Sequence, residues 1–66
     1  MKNTIRVERA ILDITQQELA VSVGVSRQTI NSIESGKYVP STILALKIAK
    51  YFNKPVEQVF SLEDSD

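Results

Sequence analysis

Cysteine and histidine are both absent from this chain. Without cysteine there is neither a disulfide framework nor a thiolate metal site. Without histidine the commonest general base and metal ligand is missing. The remaining residues assemble no nucleophile–base pair, no metal cluster and no Gly-rich phosphate loop. A non-enzyme is expected, with no catalytic residue, no metal and no cofactor. Long apolar runs are lacking too. Nothing approaches the ~20 residues that span a bilayer, and Met1-Lys2-Asn3-Thr4-Ile5 holds no signal-peptide core. No membrane partner and a cytoplasmic location are expected. With 66 residues the chain makes one domain, 1–66, near the lower limit for folding without staples.

Net charge is zero, which at first sight suits nucleic acid poorly. The distribution says otherwise. Residues 1–54 carry eight basic and four acidic side chains, whereas residues 55–66 carry four acids and no base. A basic body with an acidic tail can still meet phosphates on one face. So modest a charge implies few phosphate contacts per subunit, so two subunits acting together are expected.

Five helices follow from periodicity and capping signals. The first spans roughly Thr4 to Leu12, with Ile5, Arg9 and Leu12 on one face. The second begins at Thr15, where Thr15 and Glu18 form a capping box. Leu19, Ala20 and Val23 are its inner stripe, and Gly24 ends it in the left-handed conformation. The third follows the N-cap Ser26 and stops near Ser35-Gly36, with Ile30 and Ile33 inward beside Val25. Ser41 caps the fourth, Thr42 to Phe52, whose buried face is Leu44, Ala45, Ile48, Ala49 and Phe52. Pro55 suits the first position of a short fifth helix, about Val56 to Phe60. No segment alternates at period two, so an all-α fold is expected, ordered over about residues 3–60. The acidic tail, residues 61–66, is expected to fray.

Two helices joined by about four residues containing Gly make the geometry of a DNA-binding helix-turn-helix. With the apolar positions locked inward, the third helix turns Arg27, Gln28, Thr29, Asn31, Ser32 and Ser35 outward. Arg reads guanine O6 and N7 with two hydrogen bonds, Asn and Gln read adenine N6 and N7, and a Thr methyl meets the thymine methyl. The polar row clusters in the half of the helix that enters the groove. Arg27, Gln28, Thr29, Asn31 and Ser32 are the candidate base readers. Gln16, in the first turn of the second helix, suits a phosphate. Ser35, Lys37 and Tyr38 are the other candidate backbone contacts.

The strings TQQELA, VGVSRQTINSIESGKY and PSTILALKIAKYFNKP resemble the Cro/CI type, or Xre family, of helix-turn-helix regulators, over about residues 3–60. The resemblance implies a five-helix, lambda-repressor-like domain that binds double-stranded DNA. It places Gln16, Arg27, Gln28, Thr29, Asn31 and Ser32 toward groove or phosphate, and Lys37 on a phosphate. It also implies a largely buried ion pair between Arg9 and Glu34, orienting the first helix against the third. One departure is Asp13, where many relatives carry Gly or Asn in a turn.

Helix 4 and the C-terminal end hold more apolar residues than one buried stripe requires. Val56, Val59, Phe60 and Leu62 are therefore expected to form a two-fold dimer interface. The expected function is a sequence-specific, dimeric DNA-binding repressor or autoregulator with a palindromic operator. The alternative is a protein-interaction module on the same fold, such as an antitoxin or anti-repressor, with the acidic tail serving a protein partner.

Overall fold

The turn at the centre of the chain is built from three local signals. Thr15 Oγ1 accepts from the Glu18 amide at 3.0 Å, and Glu18 Oε1 accepts from the Thr15 amide at 3.0 Å. This reciprocal cap satisfies two orphan amides and starts helix α2 (Gln16–Val23). Gly24, at φ +80°, ends it by donating to the Ala20 carbonyl at 2.9 Å. Ser26 then caps helix α3 (Arg27–Glu34), its Oγ accepting from the Thr29 amide at 3.1 Å. A Cβ on Gly24 would meet nothing within 4 Å. Gly24→Ala therefore carries only the backbone cost of a left-handed residue, and is expected to lower unfolding stability by about 1–2 kcal/mol in urea titration.

The computed structural model describes residues 1–66. Helix α1 (Ile5–Leu12) precedes the turn, and helices α4 (Thr42–Tyr51) and α5 (Val56–Val59) follow it. Ser41 caps α4 through the Leu44 amide at 3.1 Å. One cluster of 12 buried apolar residues draws on every helix, with Ile5, Leu19, Ala20, Ile30 and Ile48 wholly enclosed. Ala20 is fully buried in that cluster, where a larger side chain is expected to overpack the core. None of the helices is long and apolar enough to cross a membrane.

The five expected helices are present, with one addition. Strands β1 (Lys2–Asn3) and β2 (Phe60–Ser61) pair antiparallel, Lys2 against Ser61 and Asn3 against Phe60. The Thr4 amide extends the ladder to the Val59 carbonyl at 2.9 Å. Two residues per strand are too short to show alternation, so the ribbon left no period-two signal. It clips the start of the chain to the end of α5.

The ribbon corrects several expectations at the C-terminal end. Helix α5 stops at Val59, and Phe60 is extended at φ −120° because it belongs to β2. Pro55 is the N-cap residue, in extended geometry, rather than the first helical position. Val59 and Phe60, assigned from sequence to a dimer surface, are 1% and 7% exposed inside the protomer's own core. Of that set only the half-buried Val56 and the exposed Leu62 reach the surface. The tail carries a turn in this structure. The Glu63 amide donates to Asp66 Oδ2 at 2.8 Å, and the amino-terminal ammonium stands 3.1 Å from Glu63 and 3.0 Å from Asp66.

In α1 the residue that accompanies Ile5 into the interior is Glu8, at 7% exposure, while Leu12 is half exposed. Asp13 closes α1 at φ 55°. That left-handed conformation favours Gly and Asn and is tolerated by Asp. The departure at this position therefore keeps the turn.

Candidate nucleic-acid interface

The outward face of α3 is held from behind by one buried carboxylate. Glu34, with its side chain 1% exposed, accepts Arg9 Nε at 2.6 Å and Arg9 Nη2 at 3.1 Å in a two-pronged pair. Arg9 Nη1 donates to the Ile14 carbonyl at 3.0 Å, tying in the loop before α2. Gln16 Nε2 donates to Glu34 Oε1 at 3.1 Å, and the exposed Arg6 stands 3.5 Å from the same oxygen. Burial alone would push the Glu34 carboxyl up. The hydrogen bonds from Arg9 and Gln16 and the charges of Arg9 and Arg6 together outweigh it, holding the group below its ordinary value. Glu34 is thus an ionised acceptor joining α1, α2 and α3.

Asn3 adds a second tie. Its Nδ2 donates to the Ile33 carbonyl at 2.9 Å, in the last turn of α3. Its Oδ1 accepts from the Ile5 amide at 3.2 Å and so caps α1, a task the Thr4 side chain leaves undone. Opposite, Lys54 Nζ lies 2.7 Å from the buried Glu8 carboxylate. Sequence reasoning did not single out Asn3, Glu8 or Lys54. For Glu8 a signal existed, because it stands three residues after Ile5 on the same helical face.

With α3 fixed on its inner side, the outer residues differ in freedom. Arg27 and Gln28 are exposed at the N-terminal end, and their side chains make no hydrogen bond within the protein. Thr29 is half-buried, its hydroxyl 3.0 Å from Ser26 Oγ. Gly36, at φ +78°, reverses the chain after α3, and the amides of Lys37 and Tyr38 both donate to the Ser32 carbonyl. That reversal brings Lys37 and Tyr38 beside the helix. Together with Ser26, Gln28, Thr29 and Ser32 they line an open depression of about 300 Å³, polar but for the Tyr38 ring.

Two of the expected phosphate donors are turned inward. Both hydrogens of the Gln16 carboxamide are engaged, one by Glu34 and one by Asn31 Oδ1 at 3.3 Å. The Ser35 hydroxyl donates to the Asn31 carbonyl at 2.7 Å. An ionised phosphate only accepts, so neither group offers it a proton in this conformation. The amides of Gln16 and Gln17 and the exposed side chain of Gln17 are free at the same place, whereas the Glu18 amide is taken by the Thr15 cap.

Two helices locked across a glycine turn, the second with a polar outer face and an apolar inner one, define a helix-turn-helix domain. The helix-turn-helix family matches residues 5–59. This chain belongs to that family, of the Xre type. It is 52% identical over 66 residues to an uncharacterized HTH-type transcriptional regulator of Methanocaldococcus jannaschii, covering all of both chains. It is 48% identical to the Bacillus subtilis uncharacterized HTH-type transcriptional regulator YgzD, again over the whole of both chains. A regulator of the same description from Archaeoglobus fulgidus is 48% identical over all of this chain and 94% of its own.

Proposed function

We propose that this chain is a sequence-specific DNA-binding transcriptional regulator that inserts α3 into the major groove and acts as a dimeric repressor or autoregulator. The observation that carries the reading is the pairing of a fixed inner face with free donors outside. Glu34, Ile30 and Ile33 immobilise α3, while Arg27 and Gln28 at its leading end have no partner within the protein. Preorganised side chains of these types are what base-edge recognition requires. Thr29, Asn31 and Ser32 complete the reading face. Lys37, Tyr38 and the free amides of Gln16 and Gln17 serve the phosphates on either side.

A dimer follows from the charge balance, since one basic body of this size neutralises few phosphates. Leu46 and Val56 line one shallow surface with Lys50 and Lys54, and this surface replaces the buried Val59 and Phe60 as the interface. Val56 belongs to this proposed interface, whereas the exposed Leu62 lines a separate depression with Lys2, Glu63, Asp64 and Ser65.

The test is selection of bound duplexes from a random library at physiological salt. A palindrome is expected, with half-sites ~34–36 Å apart. Its affinity should fall linearly on a log–log plot against salt. A folded protein that enriches no sequence overturns the reading and favours a protein-binding role for the fold. Sedimentation showing only monomer at micromolar concentration, with DNA bound, overturns the dimer.

A further inference from the structure

Asn31 lies in the middle of the outer face of α3, and its carboxamide is not free to turn. The reason runs back to the core. Glu34 is ionised and buried, so the Gln16 atom 3.1 Å from its Oε1 has to be the amide nitrogen. That nitrogen carries two hydrogens. One goes to Glu34, and the other points at Asn31, where an acceptor is required. The Asn31 atom 3.3 Å away is therefore Oδ1. Reversing either amide would set nitrogen against nitrogen, or oxygen against a carboxylate. The charge of Glu34 thus sets the polarity of a chain of three groups ending on the exposed surface. Asn31 Nδ2, the other corner of the same planar amide, makes no hydrogen bond within the protein.

We infer that Asn31 is presented to DNA with its donor Nδ2 leading, and selects a base whose major-groove edge accepts. This inference rests on the proposed reading of DNA by α3 and narrows it. An unconstrained Asn prefers adenine, donating to N7 while accepting from the N6 amino group. Here Gln16 takes one of the two lone pairs of Oδ1 and holds that corner against α2, which disfavours the two-point pair with adenine. Guanine offers two acceptors at O6 and N7, and thymine offers O4. Adenine and cytosine each present an amino hydrogen, which an amide oriented with Nδ2 leading meets less well. Gln16 acts here as a positioning residue, orienting the amide that touches the base.

The experiment starts from the duplex recovered by library selection. Binding of wild type, Asn31→Ala, Gln16→Ala and Arg27→Ala is measured against all single-base variants. Asn31→Ala identifies the position that Asn31 governs, by its lost preference there. Wild type is expected to favour guanine or thymine over adenine at that position by about tenfold, the worth of one net hydrogen bond. Gln16→Ala releases Asn31, and the adenine ratio should recover by a similar factor. Taking the ratio within each variant cancels any general loss of affinity. Wild-type preference for adenine overturns the inference, as does an adenine ratio unmoved by Gln16→Ala. If Asn31→Ala flattens no position while Arg27→Ala flattens another, the inference fails and α3 still reads DNA. If neither variant flattens any position, the reading of α3 itself fails and the inference with it.

Discussion

Replacing Arg9 with alanine is expected to cost about 3–5 kcal/mol, the range for removing one partner of a buried ion pair. A core of this size supplies only about 3–5 kcal/mol of net stability, so a large fraction of the variant should be unfolded at room temperature. The effect should exceed that of Glu34→Ala. Arg9 retains 16% exposure of its side chain and a second partner in the Ile14 carbonyl, whereas Glu34 has 1% and depends on Arg9 for two of its hydrogen bonds. The sign of the pH dependence should change as well. In wild type the Glu34 carboxyl lies below its ordinary value, because its hydrogen bonds and neighbouring charges outweigh burial. Its contribution is complete above the unfolded pKa of about 4.3 and is lost as pH falls through the lower folded value. In Arg9→Ala burial prevails and the folded value rises above the unfolded one. The variant's deficit should then be largest near neutrality and shrink as the carboxyl protonates. Urea titrations at several pH values measure both. A deficit below about 1 kcal/mol, the worth of a surface pair, would remove Glu34 as the anchor of α3.

Arg27→Ala should weaken binding to the selected duplex by ~1–3 kcal/mol and relax base preference at one position. Nothing in the protein engages the Arg27 side chain, so its removal leaves the fold intact and reads recognition alone. The distinction from a phosphate contact is quantitative. Loss of a base contact changes the ratio between sequences and leaves the salt slope nearly unchanged. Loss of a phosphate contact weakens all sequences alike and lowers the slope by about one. Lys37→Ala is the companion variant, expected to show the second behaviour. Uniform weakening by Arg27→Ala would move Arg27 to the phosphates and leave Gln28 as the leading base reader.

The helices, their caps and the inner face of α3 could be read directly from the sequence. Thr15 with Glu18, Ser26 and Ser41 each stand within three residues of the amides they cap, so the relevant interaction is local and the spacing alone reveals it. Gly24 and Gly36 mark left-handed turns for the same reason. Ile30 and Ile33 recur at helical period and are buried. The Arg9–Glu34 contact spans 25 residues and was expected from family resemblance, not from spacing.

What tertiary structure alone decided lies where partners are far apart in the chain. Val59 and Phe60 look like surplus apolar residues until a ribbon joining Lys2–Asn3 to Phe60–Ser61 folds them into the core. Glu8 reads as an ordinary helical charge until Lys54, 46 residues on, arrives beside it. Gln16 reads as a phosphate donor until Glu34 and Asn31 take both its hydrogens. A side chain's type states which bonds it can make, and local spacing states which way its backbone turns. Which of those bonds is made depends on what the rest of the chain brings within reach, and for the Asn31 amide that choice runs through Gln16 of α2 from the buried Glu34 carboxylate.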